Sequence, residues 1–255
     1  MTGYALISPG GSPGATTAAI ALALTWPVPV ILAECDPAGG SLLPGLFAGH
    51  LAAPRGLLGV ALEAAAGPAA AARCLAGQLL PLDESGQRRF LAGIADPREA
   101  PSLAPAWPQI AGALAGQGAD VIADCGRLGA GAESPAAVIS GSALAVLVMG
   151  RSLRQVAAAR PRAEMAAAML GGRERLALLL VGDRGRPAAE ISGALGAPVL
   201  GVLPADPRTA ALLSDGRGRR SGLAGRPLMR AARTAGEAIR AAADAPGGAP
   251  GGEGR

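Results

Sequence analysis

Lysine and asparagine are both absent from the 255 residues, and histidine occurs once, at His50. Every fixed positive side chain is therefore an arginine, and the formal net charge is only +4 with a pI near 9.7. Arginine clusters at Arg184–Arg186 and Arg217–Arg220 have no aromatic residues among them, so a nucleic-acid partner rests on charge alone and a solvated face is the plainer reading. Cys35, Cys74 and Cys125 are odd in number and widely spaced, without a CxxC pair, which argues against a structural zinc or a disulfide framework. Aromatic residues make up 2% of the chain, leaving Ala, Leu and Val to pack the core. No positive charge precedes the apolar residues of Met1–Pro9, so a secretory signal is not supported. The uncharged stretch Thr16–Ala33 has spanning length, but Pro27 and Pro29 split it, which argues against a transmembrane segment. These absences together point to a cytoplasmic, reducing location.

What remains is a rhythm of short apolar runs and alanine-rich helical patterns. Strands are expected at Tyr4–Ser8, Val28–Ala33, Phe90–Ile94, Asp120–Ala123, Leu144–Met149, Leu176–Val181 and Val199–Leu203. Helices are expected near Thr16–Thr25, Leu57–Ala65, Ala69–Leu79, Gln109–Ala115, Leu153–Leu170, Ala188–Leu195 and Leu228–Ala243. Uniformly apolar strands alternating with helices predict a three-layer, doubly wound α/β fold with a mainly parallel sheet covered on both faces. One domain over residues 1–244 with a disordered Gly/Pro tail at 245–255 fits this pattern.

Three elements that could meet a phosphate or a metal fall at the C-terminal ends of predicted strands, the edge at which open α/β sheets bind ligands. Ser8–Thr17 reads SPGGSPGATT, the outline of a phosphate-binding P-loop. Gly10, Gly11 and Gly14 permit a tight backbone path, Ser12 lies within it, and the helix opening at Ala15, Thr16 and Thr17 presents its N-terminus to an anion. A hydroxyl at Thr16 stands where such loops ligate Mg²⁺, and the loop's lysine position holds Ala15. Glu34 and Asp36 follow the second strand, and Asp124 ends the run Val121-Ile122-Ala123 in the manner of a Walker B strand.

Taken in order and spacing, these elements resemble the ParA/MinD family of deviant-Walker-A P-loop ATPases. The family's K-G-G-x-G-K-T-T loop sets against Gly10–Thr17, and its D-x-D-P motif against Glu34-Cys35-Asp36-Pro37. Val199–Arg208 (VLGVLPADPR) is similar to the family's late strand and loop near the nucleotide base, which places Pro204 and Asp206 beside the cofactor. The resemblance implies Thr16 and Asp124 as Mg²⁺ ligands and Asp36 as the group that positions the attacking water. It implies ATP with Mg²⁺ as cofactor and a face-to-face dimer, either a homodimer or a heterodimer with a ParA-like ATPase. Family members position chromosomes, septa or pili, and the TadZ/CpaE branch carries atypical loops.

The departures are concentrated at the site. Ala15 replaces the P-loop lysine, Gly10 the signature lysine that reaches across the dimer, and Pro13 offers no N–H. The region that commonly carries an adenine-reading Asn reads Leu180-Val181-Gly182-Asp183. Arg127 and Arg151 are the nearest candidates for replacement charge. These losses predict a degenerate, weakly hydrolysing or non-hydrolysing member acting as a partner or positioning factor. The alternatives are a working ATPase with a substitute arginine, in cis or in trans, and a nucleic-acid-binding adaptor. Cys35 and Cys125, beside the acidic strand ends, are small core residues or a redox pair, and the final helix, with Arg230, Arg233 and Arg240, reads as packed on the domain.

Overall fold

The structure, a computed structural model, describes residues 2–10, 14–43, 45, 56–215 and 222–245. Gly11, Ser12, Pro13, His50, Arg217–Arg220 and the tail from 246 onward therefore lie outside the described residues.

Eight strands form one sheet: β1 (Gly3–Ser8), β2 (Val30–Glu34), β3 (Leu80–Pro81), β4 (Arg88–Leu91), β5 (Asp120–Arg127), β6 (Leu144–Gly150), β7 (Leu176–Val181) and β8 (Val199–Leu203). Their order is β3-β4-β2-β5-β1-β6-β7-β8, all parallel except the β3–β4 pair. Because successive strand side chains point to opposite faces, and both faces are covered, each strand feeds two cores. Tyr4 and Leu6 of β1 enter one core, Ala5 and Ile7 the other.

The first core takes α1 (Ala15–Thr25), α9 (Pro207–Asp215) and α10 (Pro227–Asp244). The second takes α2 (Leu57–Ala64), α3 (Pro68–Gln78), α4 (Ala100–Leu103), α5 (Trp107–Ala115), α6 (Ala136–Gly141), α7 (Leu153–Leu170) and α8 (Ala188–Leu195). This is the three-layer arrangement that the alternation of apolar runs and helical patterns predicts. The final helix packs inward: Leu228, Met229, Ala232, Ala235, Gly236 and Ile239 form its buried face. Gly201 allows that approach, since a Cβ there would come within 2.8 Å of the Ala235 Cβ. No helix of the described residues is long and apolar enough to cross a membrane.

Three local expectations need correction. The strand expected at Phe90–Ile94 runs over Arg88–Leu91, because the Arg88 guanidinium is fully engaged at the strand's start. It donates to Ala23 O (3.1 Å) and Trp26 O (3.1 Å) and pairs with Asp83 (2.7 Å). The second strand starts at Val30, past the two prolines. Strand β3 and helices α4, α6 and α9 are additions to the expected set. α9 opens with a local signal, an aspartate followed by proline at the first helical position.

At the N-terminal edge of the sheet, Asp120 ties four segments together. Its carboxylate accepts from Thr2 N (3.0 Å) and Trp26 Nε1 (3.0 Å) and lies 3.3 Å from Arg240 Nε. Tyr4 stacks edge-on against Trp26 at 5.0 Å between ring centroids, and burial, with the Asp120 charge second, pushes its hydroxyl up to about 12. Removing one partner of such a hydrogen-bonded pair leaves the rest unsatisfied. Asp120→Ala is expected to cost about 2–4 kcal/mol in urea unfolding, with Asp120→Asn retaining part of that loss. A change below about 0.5 kcal/mol in the alanine variant would show that the tie contributes nothing.

Candidate functional site

At the opposite edge, β1, β2 and β5 end side by side, with Glu34 in register with Asp124. α1 starts immediately after the β1 turn. Its N-cap is Gly14 with φ of 87° and ψ of 22°, a left-handed conformation that glycine adopts without strain. Among the described residues no side chain caps the helix, which leaves its first-turn N–H groups without an intrahelical partner.

The three acids at this edge differ in what holds them. Glu34 is 3% exposed, and its carboxylate accepts three backbone N–H bonds, from Ser41 (2.7 Å), Leu42 (2.9 Å) and Gly93 (3.1 Å). It fastens the loop after β2 to the exit of β4. The fit is tight enough that a Cβ on Gly40 would lie 2.6 Å from its Oε2. Glu34, which fills the first acidic position of the D-x-D-P-like segment, is thus committed to the backbone. Asp36 is half-buried, accepts from Ala38 N (2.8 Å), and lies against Gly126, where a Cβ would collide with its carboxylate. Asp124 is 2% exposed and accepts from Gly126 N (3.1 Å) and from the Thr16 side chain.

Sequence reasoning pairs Thr16 with Asp124, and the two are in contact. Two hard oxygen donors at a helix N-terminus suit Mg²⁺ chemistry. Burial pushes the carboxyls of Glu34, Asp36 and Asp124 up; for Asp124 the rise reaches about 6, with the charges of Asp36 and Glu34 adding to it. Among the described residues no arginine forms an ion pair with any of the three. Arg151, a candidate for the missing charge, donates instead to Arg186 O (3.0 Å) and Gly182 O (3.4 Å), bracing the loop after β7. Arg127 is exposed. Ala15 is 9% exposed and belongs to the core that α1 covers.

A cleft of about 390 Å³ runs from Gly14, Thr17 and Ala18 to the ends of β7 and β8, where Pro204, Ala205 and Asp206 form its wall. Gly14, Thr17, Pro204 and Asp206, separated by almost two hundred positions in the chain, are thereby brought to one cavity, and its size suits a small-molecule ligand. Asp206 is occupied in another way than its place suggests. It caps α9, accepting from Thr209 N (3.1 Å) and Thr209 Oγ1 (2.6 Å), and it also accepts from the Leu228 N–H at the start of α10. Despite slight burial, these bonds and Arg226 hold its carboxyl below the usual range.

Parallel strands that end in acids beside an uncapped helix, with a cleft reaching the late strands, define a recognisable arrangement. MinD in the MinC:MinD cell division complex of Aquifex aeolicus superposes with a TM-score of 0.73 at 13% identity, covering 94% of this chain and 96% of that one. The fold is that of MinD and the ParA-family ATPases. A ParA family ATPase from Chlorobium tepidum gives 0.72 at 13% identity over 92% and 98% of the two chains. The septum site-determining protein MinD from Pyrococcus horikoshii, complexed with Mg-ADP, gives 0.70 at 17% identity over 93% and 95%. No protein-family model matches the sequence, and no curated protein matches it.

The remaining candidates separate from the site. Cys35 and Cys125 are free, fully buried thiols at the two strand ends, and burial pushes both well above the ordinary thiol range, so they act as small core residues. Arg184 and Arg186 are exposed, and Arg186 pairs with Glu190 at 3.4 Å. The role of Glu34 is absent from the sequence reading. Its signal was the glycines at 40 and 93, which leave room for a longer acid to reach three backbone donors.

Two predictions follow from the acids. Glu34→Gln replaces one acceptor oxygen by an amide donor facing a backbone N–H, and should cost about 1–3 kcal/mol in urea unfolding, against no loss if the clamp is dispensable. For Asp124, a folded pKa above the unfolded one favours the protonated folded state. The stabilisation is therefore complete below about pH 4 and lost as the pH rises through about 6. Between pH 4 and pH 7 the difference in stability between the wild type and Asp124→Asn should shift by about 2–3 kcal/mol in that direction. A pH-independent difference would refute the burial of an unpaired carboxyl here.

Proposed function

We propose that residues 1–244 form one ParA/MinD-like domain that binds Mg-ATP weakly, hydrolyses it little or not at all, and acts as a partner or positioning factor for chromosome, septum or pilus machinery. The observation that carries this reading is the edge that gathers Glu34, Asp36 and Asp124 with no cation paired to them among the described residues, beside Ala15 in place of the lysine. The residues present fit the nucleotide unevenly. Thr16 and Asp124 would hold Mg²⁺, the α1 N-terminus and Gly14 would face the phosphates, and the cleft to Pro204 and Asp206 would take the nucleoside. Mg-ATP would supply the electrophilic phosphorus and the cation that offsets its charge. Asp36, half-buried beside Gly126, would be the group to orient an attacking water in any residual turnover. The lysine's charge is the missing part. Charge-assisted contacts are worth about 1.5–3 kcal/mol each, so the loss of two lysines weakens binding by about two to four orders of magnitude.

Arg151, held by two carbonyls, gives no support to a working ATPase with that arginine as substitute. A partner subunit remains a source of charge. A homodimer contributes no lysine, whereas a heterodimer with an intact ParA-like ATPase would, and the proposal favours that assembly.

Titration calorimetry with Mg-ATP tests the reading, with steady-state phosphate release measured alongside. The wild type should bind no tighter than about 100 μM and show no turnover, and Ala15→Lys should tighten binding about 10–100-fold. Among the described residues nothing lies within 4 Å of a Cβ placed on Gly10, so Gly10→Lys is a second restoration. Micromolar binding by the wild type, lost in Asp124→Ala and accompanied by turnover, would establish an active ATPase and end the proposal.

A further inference from the structure

An irregularity in β5 decides which way Arg127 faces. β1 and β5 run in register from Gly3 with Val121 to Leu6 with Asp124, and the next pair is Ser8 with Arg127. Two steps along β1 thus match three along β5, a bulge at Cys125 and Gly126, with Gly126 at a left-handed φ of 59°. Without the extra residue, alternation from Val121, Ala123 and Cys125 would send Arg127 into the second core. With it, Leu128 takes that place, 2% exposed in the same core as Cys125. Arg127 is paired instead with Ser8, which continues the alternate positions Tyr4 and Leu6 on the face that α1 covers. The bulge therefore puts Arg127 on the α1 side of the sheet, the side on which Asp124 meets Thr16.

Resting on the nucleotide reading above, we infer that Arg127 contacts the terminal phosphate of a bound nucleoside triphosphate, so that the site separates triphosphates from diphosphates. The sheet order places it at the matching end of the ligand. The cleft that would take the nucleoside reaches the ends of β7 and β8, and β6, β1 and β5 follow in that order across the sheet. A ligand laid from that cleft past Gly14 brings its outermost phosphate to the ends of β1 and β5, where Ser8 and Arg127 are paired. The Arg127 side chain is exposed, and among the described residues its guanidinium makes no hydrogen bond or ion pair. Arg151, Arg173 and Arg175 differ in this respect, each donating to backbone carbonyls. A planar guanidinium of fixed charge matches two phosphate oxygens at once, which makes arginine well suited to this contact. Arg127 replaces one of the two missing charges, and binding therefore stays weak.

The test is saturation-transfer NMR on the full-length protein, titrated separately with Mg-ATP and Mg-ADP to about 5 mM, on the wild type, Arg127→Ala and Arg127→Lys. The same three side chains are compared in the Ala15→Lys background, whose tighter binding keeps a large loss within range. The inference expects Arg127→Ala to weaken Mg-ATP about tenfold while Mg-ADP changes less than about twofold, with Arg127→Lys in between. A loss for Mg-ATP less than about fivefold larger than that for Mg-ADP overturns the inference and leaves the nucleotide reading standing. That outcome covers both an arginine that touches no phosphate and one that attracts every anion alike. Failure of the wild type and Ala15→Lys to bind either nucleotide removes the nucleotide reading itself, and the inference with it. Arg127→Ala should unfold at the wild-type temperature. A clearly lower midpoint would show the side chain engaged in the fold and would also overturn the inference.

Discussion

Among the described residues, the candidate functional edge carries negative charge that no cation pairs. Three carboxylates converge where β2 and β5 end, two of them almost fully buried, and burying an ionised carboxylate without a partner is among the costlier things a fold can do. The chain meets that cost with dipoles instead of cations. Three backbone N–H groups converge on Glu34, one on Asp36, and one backbone N–H with the Thr16 side chain on Asp124. Those bonds fix the loop after β2, the turn at Gly126 and the start of α1 relative to one another. The site is therefore ordered by the same interactions that compensate for its missing charge.

The opposite edge shows that arginine was available for such work. Asp120 there has Arg240 at 3.3 Å as well as Trp26 and Thr2 as donors, and the pair joins α10 to β5. Among the described residues, one edge thus balances its buried acid with a cation and the other does not. The contrast weakens an explanation of Ala15 by composition alone. A chain that spends arginines on ion pairs and helix C-termini, as with Arg173 donating to Leu195 O at 2.7 Å, could have placed one at position 15. Alanine there, 9% exposed against the core, removes the charge and leaves the helix intact.

Much of the fold was legible because uniformly apolar strands have few alternatives to a parallel sheet, and the long runs Leu144–Met149 and Leu176–Val181 carry that signal almost without interruption. The parts that were not legible depend on contacts distant in sequence. β4 begins at two arginines because Arg88 finds carbonyls on the α1 exit more than sixty positions away, which no local pattern records. The candidate site divides in the same way. Thr16, Asp36 and Asp124 could be placed from motif order alone. Glu34 as a clamp and Asp206 as a double helix cap required knowing which N–H groups faced them.

The helix terminus sets how far the altered loop can compensate. A macrodipole contributes about 0.3–1 kcal/mol to a nearby anion, and up to about 2 in partly buried geometries. A lysine contact to phosphate contributes about 1.5–3 kcal/mol, and on the proposed nucleotide reading the sequence lacks two such residues. The α1 terminus at Gly14 therefore recovers only part of the deficit, and the three acids beyond it act against an incoming phosphate unless Mg²⁺ or a proton intervenes. Since burial holds Asp124 near a pKa of about 6, ionising it for a metal and keeping it neutral for the fold are opposed demands at the same atom. Replacement charge from a partner would relieve both at once, because a cation beside Asp124 lowers its pKa and attracts the phosphate together. That coupling makes an assembly with a lysine-bearing subunit the physically economical solution for a site built in this way.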